Sequence, residues 1–152
     1  MTAPARPPFA GHTPTIGLLF RQVRDASRDC LQREVARAGH ELSFSQYLTI
    51  KALAQGSAGV SELARAADLH PGAMTRLLDR LAERGVVERV TDPADRRAVV
   101  VSLTASGQAI WRDVQPCAQR IHERALAGID EATRAQLMRL VEQVRDNLLS
   151  PD

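Results

Sequence analysis

Two adjacent arginines in a short polar segment are the side chains of this sequence best placed for chemistry with an anionic partner. The segment from Asp92 to Arg97 reads DPADRR and separates two runs of β-branched residues, which predicts the connection of a β-hairpin. Asp95 is expected to hold one guanidinium while the other, from Arg96 or Arg97, enters a minor groove of DNA, because narrow A·T-rich grooves attract arginine. The pattern is weak alone and gains weight from the helix that precedes it.

The helix predicted from Pro71 to Arg84 has a small and polar start on its outer side. Proline fits the first helical position, where its missing N–H costs nothing. At about 100° per residue, Thr75 and Arg76 lie opposite the apolar face and can enter a major groove, where arginine binds guanine O6 and N7. Backbone N–H groups at the helix start can meet phosphates. The predicted DNA contacts of helix and hairpin are Pro71, Gly72, Ala73, Thr75, Arg76, Arg80, Asp95, Arg96 and Arg97.

Two acidic residues, Asp79 and Glu83, lie further along the same outer face, where their carboxylates would repel phosphates. We therefore expect only the first turns of the helix to lie in the groove, with Asp79 supporting Arg76 or Arg80. The alternative is a solvated helix face whose charges pair within the helix.

Around this helix, hydrophobic periodicity and capping residues predict the element order α-α-α-α-β-β-α-α. The first helix begins at Ile16 and ends at Gly39, Ser43 and Gln46 have the spacing of a capping box, and His70 caps the helix of the DNA contacts. The fold class is mainly α with a small β-hairpin, a winged helix-turn-helix flanked by N- and C-terminal dimerisation helices. The predicted segments are a flexible arm (1–15), a dimerisation helix (16–40), the winged helix-turn-helix DNA-binding domain (41–103) and C-terminal dimerisation helices (104–152).

The first helix and the last two helices are long, apolar on one face and far apart in the sequence, so they need a partner surface. A symmetric homodimer whose terminal helices interlock supplies it most simply. The alternative is a monomer in which these helices cover their own central unit. A homodimer would place two recognition helices on a pseudo-palindromic double-stranded operator, with half-sites about 10 base pairs apart.

The composition and motifs argue against other classes. The 152 residues suit one domain with an assembly element, and the formal net charge of +2 neither requires nor excludes a nucleic-acid partner. No apolar run reaches the ~18 residues of a membrane span, and no secretory signal accompanies the two cysteines, which predicts a cytoplasmic protein without a membrane partner. Phosphate loops, nucleophile elbows and metal-ligand spacings are missing, so we expect no enzyme, cofactor or metal site. A winged helix that binds protein remains an alternative, but it would expose apolar residues where this helix has Thr75 and Arg76.

The sequence resembles the MarR (multiple antibiotic resistance regulator) family, closely from Phe44 to Gly107 and by pattern in the flanking helices. The resemblance implies a homodimeric DNA-binding transcriptional regulator, usually a repressor, whose DNA contacts fall on the helix and hairpin residues given above. The stretch from His70 to Ala73 departs from many members, which carry more hydroxyl and basic side chains there, and this leaves the operator sequence open. The matching motifs are QYL at 46–48, VSELA at 60–64, MTRLLDRL at 74–81, RGVVER at 84–89, DPADRRA at 92–98 and LTASG at 103–107.

The resemblance also implies a site for a small phenolic or amphipathic effector, in the crevice between the DNA-binding unit and the dimer helices. Arg24 or Arg28 would pair with its anionic group, and a role in the core is the alternative for each aromatic candidate. The candidate ligand-binding residues are Phe20, Arg24, His40, Tyr47 and Trp111.

The two cysteines leave open a thiol-based redox-sensing regulator of the same fold, with Cys30 and Cys117 as the candidate redox residues. A peroxide-sensing branch of the family has a reactive cysteine near the start of the first helix with tyrosines around it, whereas the only tyrosine here is Tyr47. Cys30 falls on the predicted buried face of the first helix, and apolar surroundings keep a thiol protonated. We therefore expect free structural cysteines.

Overall fold

A computed structural model describes residues 14–95 and 98–150, which form six α-helices and one two-stranded antiparallel sheet. The predicted fold class and element order are confirmed. The elements in chain order are α1 (Ile16–Arg37), α2 (Phe44–Leu53), α3 (Val60–Ala66), α4 (Pro71–Glu83), β1 (Val87–Thr91), β2 (Val99–Leu103), α5 (Ala105–Ala125) and α6 (Glu131–Leu149).

Short polar side chains start several of these helices. Ser43 and Gln46 form the predicted capping box: the Ser43 hydroxyl accepts from the Gln46 N–H at 3.2 Å, and the Gln46 side chain accepts from the Ser43 N–H at 2.9 Å. Asp130 caps α6, where the Thr133 hydroxyl donates to its carboxylate at 2.6 Å and holds its pKa below the ordinary value. His70 occupies the N-cap position of α4, but its side chain forms no capping hydrogen bond.

The core lies where the apolar faces of α1 to α5 meet the inner face of the hairpin. The predicted buried face of α4 is confirmed, since Met74, Leu77, Leu78 and Leu81 are buried. Because its buried face belongs to this close-packed core, α4 is part of a rigid unit. The largest fully buried side chains are Val35, Ile50, Leu63, Met74, Leu78, Leu81, Val86, Val101 and Val114.

A third short segment holds the hairpin at the middle of β2. β1 and β2 pair from Val87 with Leu103 to Thr91 with Val99. Ala58, in the turn between α2 and α3, exchanges backbone hydrogen bonds of 3.0 and 2.9 Å with Val101. The hairpin therefore cannot move independently of the α2–α3 turn.

The start of α5 packs directly on the turn that follows α4. The Thr104 N–H donates to the Val86 carbonyl at 3.1 Å, and the Thr104 hydroxyl donates to the Gly85 carbonyl at 2.6 Å. The same hydroxyl accepts from the Gly107 N–H at 3.1 Å. A Cβ atom at Gly107 would overlap the Val86 carbonyl oxygen and lie 3.0 Å from a Leu103 methyl group. Only glycine allows this close approach.

Two polar contacts fix α5 to α1 and to the loop that follows it. Arg120 on α5 donates to Glu34 on α1 at 3.0 Å, and this bond, together with the nearby Arg37, holds the pKa of Glu34 below its ordinary value. The His40 ring and the Asp113 carboxylate lie 2.9 Å apart. The middle of α5 is thus held on the same body as the core.

The last helix contrasts with the others, because no residue of α6 is buried. Arg134 anchors its first turn by donating to the carbonyls of Ile129 at 2.7 Å and Leu126 at 3.0 Å. No helix within the described ranges is long and apolar enough to cross a membrane. The exposed large apolar residues of α1 and α6, here called the terminal apolar surface, are Ile16, Leu19, Phe20, Val23, Leu137, Met138, Leu140, Val141, Leu148 and Leu149.

Replacing Gly107 by alanine should lower the free energy of unfolding by about 1–3 kcal/mol, because the added methyl group forces the start of α5 away from the Val86 carbonyl. Urea unfolding at fixed protein concentration measures the change.

The matched control is Gly72→Ala, also near a helix start, where an added Cβ meets nothing within 4 Å. This control should be neutral or slightly stabilising, because alanine favours helix over glycine. Equal unfolding curves for the Gly107→Ala variant and the native protein would contradict the packing described for this junction.

Candidate nucleic-acid interface

The N-terminal turns of α4 form an exposed surface that a DNA groove could accept. Pro71 is the first helical residue, and Gly72, Thr75 and Arg76 are exposed, with Ala73 half-buried beside them. No acidic residue lies in the first turn. Proline has no N–H, and Ala73 and Met74 donate theirs to the His70 carbonyl at 3.0 Å, which leaves the Gly72 N–H without a backbone partner in the described chain. This N–H and the positive end of the helix dipole favour an anion such as phosphate, since no carboxylate neutralises them.

Thr75 is less available than the sequence indicated. Its hydroxyl donates to the Pro71 carbonyl at 3.0 Å, one turn back along the helix. Because a phosphate oxygen only accepts hydrogen bonds, a contact from Thr75 would require its hydroxyl to give up this bond.

The outer face of α4 carries two arginines that are available to a partner. Among residues 14–95 and 98–150, the side chains of Arg76 and Arg80 form no ion pair or hydrogen bond. The expectation that Asp79 supports one of them is wrong, because Asp79 pairs with Arg89 of β1 at 2.7 Å. Strand β1 projects this guanidinium over the helix, and no helix-periodicity argument could find a partner outside the helix.

The hairpin turn is closed by its own backbone. Asp92 donates its N–H to the Ala98 carbonyl at 2.9 Å, and Ala98 donates to the Asp95 carbonyl at 2.9 Å. The Asp92 carboxylate accepts from the Ala94 N–H at 2.8 Å, as in an Asx turn. This structural role of Asp92 was missed from the sequence, although the Asp-Pro pair is typical of such turns. The predicted contacts Arg96 and Arg97 lie outside the described residues.

A separate cavity of about 290 Å³ lies between α1, α2 and α5. Of the predicted ligand-binding residues it contains Arg24 and Tyr47, together with Arg28. Phe44 and Lys51 also line it and were missed, although their spacing along α2 places them on the same face as Tyr47. Its wall is completed by apolar side chains, so it combines cations with a hydrophobic floor.

Tyr47 is the most unusual group of this cavity. Its side chain is buried, and its hydroxyl has no hydrogen-bond partner among the described residues. Burial raises the pKa of Tyr47, which keeps the hydroxyl protonated. The guanidinium of Arg28 lies 5.2 Å from the centre of the Phe44 ring, within cation–π range. The Tyr47 hydroxyl oxygen is itself shielded from solvent, so the cavity presents a cation and an aromatic wall to a ligand.

The structure does not bring the other three predicted ligand-binding residues into this cavity. Phe20 lines an apolar groove with α6, and His40 is paired with Asp113. Trp111 packs with its ring centre 6.1 Å from that of Tyr47, and lines a different concavity.

The two cysteines are free thiols and both are buried. Burial raises the pKa of Cys117, and the neighbouring Arg120 guanidinium donates to its sulfur at 3.2 Å. Within the described part of the chain, no cluster of three histidine, cysteine or acidic residues is arranged to hold a metal ion. A buried, protonated thiol fits a structural role better than a sensing one.

An exposed helix start next to a projecting hairpin, on a rigid three-helix unit, defines a winged helix-turn-helix protein that binds DNA. Comparison with known proteins gives the family. Residues 43–99 match the model of the MarR family. The chain belongs to the MarR family and is a DNA-binding transcriptional regulator.

Relatives match over most of their length. The transcriptional repressor NicR of Pseudomonas putida is 28% identical over 136 residues, which cover 89% of this chain and 85% of NicR. The transcriptional regulator HosA of Escherichia coli O111:H- is 31% identical over 122 residues, 77% of this chain and 90% of HosA. A mutant of MarR from Escherichia coli, solved in complex with operator DNA, superposes with a TM-score of 0.72 at 27% identity, covering 85% of this chain and 92% of that one.

Replacing Arg76 by alanine should reduce the discrimination between an operator and its single-base variants by ~1–3 kcal/mol at one position per half-site, because a bidentate base contact is lost. Fluorescence anisotropy with a duplex selected by the native protein, and with its single-base variants, measures this.

The matched control is Arg33→Ala on the C-terminal half of α1, which removes the same charge outside α4 and outside the terminal apolar surface and should leave discrimination unchanged. The double replacement of Arg96 and Arg97 by alanine should weaken binding to every sequence and lower the salt dependence. A uniform loss from Arg76→Ala would show that Arg76 contacts the backbone only.

Proposed function

We propose that this protein is a homodimeric, cytoplasmic repressor that binds a pseudo-palindromic operator and is released by a small amphipathic or phenolic ligand. The observation that carries the proposal is the terminal apolar surface, which the described chain leaves uncovered. Contiguous apolar surface of this kind marks an association site. A second copy of the chain covers it symmetrically.

The proposed interface uses the whole of α6 and the N-terminal half of α1. The C-terminal half of α1 is already buried within its own chain through Cys30, Leu31 and Val35. We therefore divide α1 between the two roles instead of assigning all of it to dimerisation. Two copies would present two α4 helices to successive major grooves, about 10 base pairs apart.

Recognition of DNA, and not of a protein, is supported by the outer face of α4. Apart from Pro71, its exposed side chains are polar or charged, and its large apolar residues Met74, Leu77, Leu78 and Leu81 are all buried. Footprinting on bound genomic fragments should protect two half-sites, and protection of a single half-site would contradict the dimeric arrangement.

Replacing Leu140 by glutamate should convert the dimer to a monomer at micromolar concentration, because the substitution buries a carboxylate in an apolar interface. Leu140 is 51% exposed in the single chain, so the monomer should still fold. Size-exclusion chromatography with light scattering measures the molar mass.

The control for this variant is Val99→Glu on the hairpin, which is 63% exposed and lies outside the terminal apolar surface. It should leave the dimer intact. A native protein that is monomeric at micromolar concentration would refute the proposed assembly.

The effector site proposed here is the cavity between α1, α2 and α5. Arg24 already pairs with Asp25 at 2.9 Å, whereas Arg28 and Lys51 form no ion pair within the described ranges. A ligand with a carboxylate and an aromatic ring would meet these two cations and the apolar floor. Binding that favours one spacing of the recognition helices then shifts the population away from the DNA-binding state.

Replacing Arg28 by alanine should raise the concentration of effector needed for half-release from the operator roughly tenfold, since a charge-assisted contact of about 1.5 kcal/mol is lost. The probes are benzoate and the hydroxybenzoates, tested by anisotropy on the DNA complex. Arg33→Ala, on α1 but lining a different concavity, is the control and should respond like the native protein. Equal responses of the native protein and Arg28→Ala to a releasing ligand would place its site elsewhere.

A further inference from the structure

The recognition helix carries an acidic residue at a position where it competes for the arginine that reads the DNA. Asp79 lies three residues after Arg76, and residues at this spacing are neighbours on a helix surface. In the structure Asp79 does not pair with Arg76. Its carboxylate is instead engaged by Arg89 of β1 at 2.7 Å, and the Arg76 side chain has no ionic partner in the described chain.

We propose that Arg89 is a positioning residue for DNA recognition: by engaging Asp79 it keeps the Arg76 guanidinium available to the DNA. This inference rests on the proposed function, because it requires the start of α4 to enter a groove. Arg89 itself need not touch the DNA. Its role is to decide which of two arginines Asp79 pairs with.

Because the ion pair lies at the surface, Arg89 should affect DNA binding more than it affects folding. Arg89 and Asp79 are 44% and 50% exposed, so solvent screens the pair and it adds little to the stability of the fold. Near DNA the same carboxylate has a larger effect, because an unpaired Asp79 would draw Arg76 from the bases and repel the neighbouring phosphates. Binding should therefore respond to Arg89 far more than folding does.

The geometry also explains why an acidic residue is tolerated on this face. Arg89 extends from the middle of β1, directly across from Val101 of β2, which is buried. The register of the hairpin therefore holds the guanidinium over the third turn of α4, at Asp79. Glu83, one turn further on, is also exposed and lies two turns from Arg76, too far to compete for it.

The test compares Arg89→Ala, Asp79→Asn and the double variant carrying both changes. The probes are a duplex selected from a random library by the native protein and a scrambled duplex of equal length. Arg89→Ala should reduce the ratio of specific to non-specific affinity roughly tenfold, the size expected for one lost base contact. Asp79→Asn alone should stay within about threefold of the native ratio, and the double variant should return to that range, since the competing carboxylate is gone.

The matched control adds Glu83→Gln to Arg89→Ala, which removes an acidic residue of the same face and should not restore the ratio. Arg89→Lys keeps a cation beside Asp79 and should retain most of the native specificity. Thermal unfolding of each variant, expected to stay close to the native curve, separates a loss of recognition from a loss of fold.

Four results would overturn the inference. If Asp79→Asn is as harmful as Arg89→Ala and the double variant is not rescued, the ion pair acts as a tether between hairpin and helix. If Arg89→Ala weakens all sequences equally and lowers the salt slope, Arg89 contacts phosphate directly. If Arg89→Ala keeps the native ratio of specific to non-specific affinity, Arg89 has no role in recognition. A native protein that shows no preference between the two duplexes refutes the proposed function itself, and this inference with it.

Discussion

The contact between the first turn of α5 and the Val86 carbonyl is the constraint on which the rest of the structure depends. Thr104 closes the turn after α4 with its N–H and hydroxyl, and Gly107 lets the two backbones approach. Since α4 and β1 flank that turn, the recognition helix, the hairpin and α5 share one attachment point. A displacement of α5 therefore has to move the proposed DNA-contacting surface with it, instead of being absorbed by a flexible link.

The charged groups of the protein are divided between internal partners and open surfaces. Arg120 engages Glu34 across α1 and α5, and Arg89 engages Asp79 across β1 and α4, so that both acids are neutralised within the chain. Other arginines have no such partner in the described chain, among them Arg76 and Arg80 on the outer face of α4 and Arg28 at the cavity between α1, α2 and α5. These are the two places where the proposed function requires an anion, a phosphate in one case and an effector in the other. A chain with a formal net charge of only +2 can thus still present unpaired cations at these two places.

Proposed regulation follows from the location of the cavity. Its walls come from α1, which also contributes to the terminal apolar surface, and from α2 and α5, which pack in the core of the DNA-binding unit. A ligand seated there contacts both parts at once, so it can favour one relative arrangement over another. The cations Arg28 and Lys51 on the same walls favour a ligand with an anionic group.

The sequence alone determined the secondary structure, the fold class and the family resemblance, because helix caps, hydrophobic periodicity and turn residues act over a few neighbouring positions. The Ser43 capping box, the buried face of α4 and the hairpin after Gly85 are of this local kind. Only the tertiary structure decided which groups from distant elements meet. It assigned Asp79 to Arg89, joined Ala58 to β2, brought Arg28 of α1 onto the Phe44 ring of α2, and separated Phe20 and His40 from that cavity. Such pairings depend on the crossing of helices and on strand register, which the types of individual residues do not encode locally.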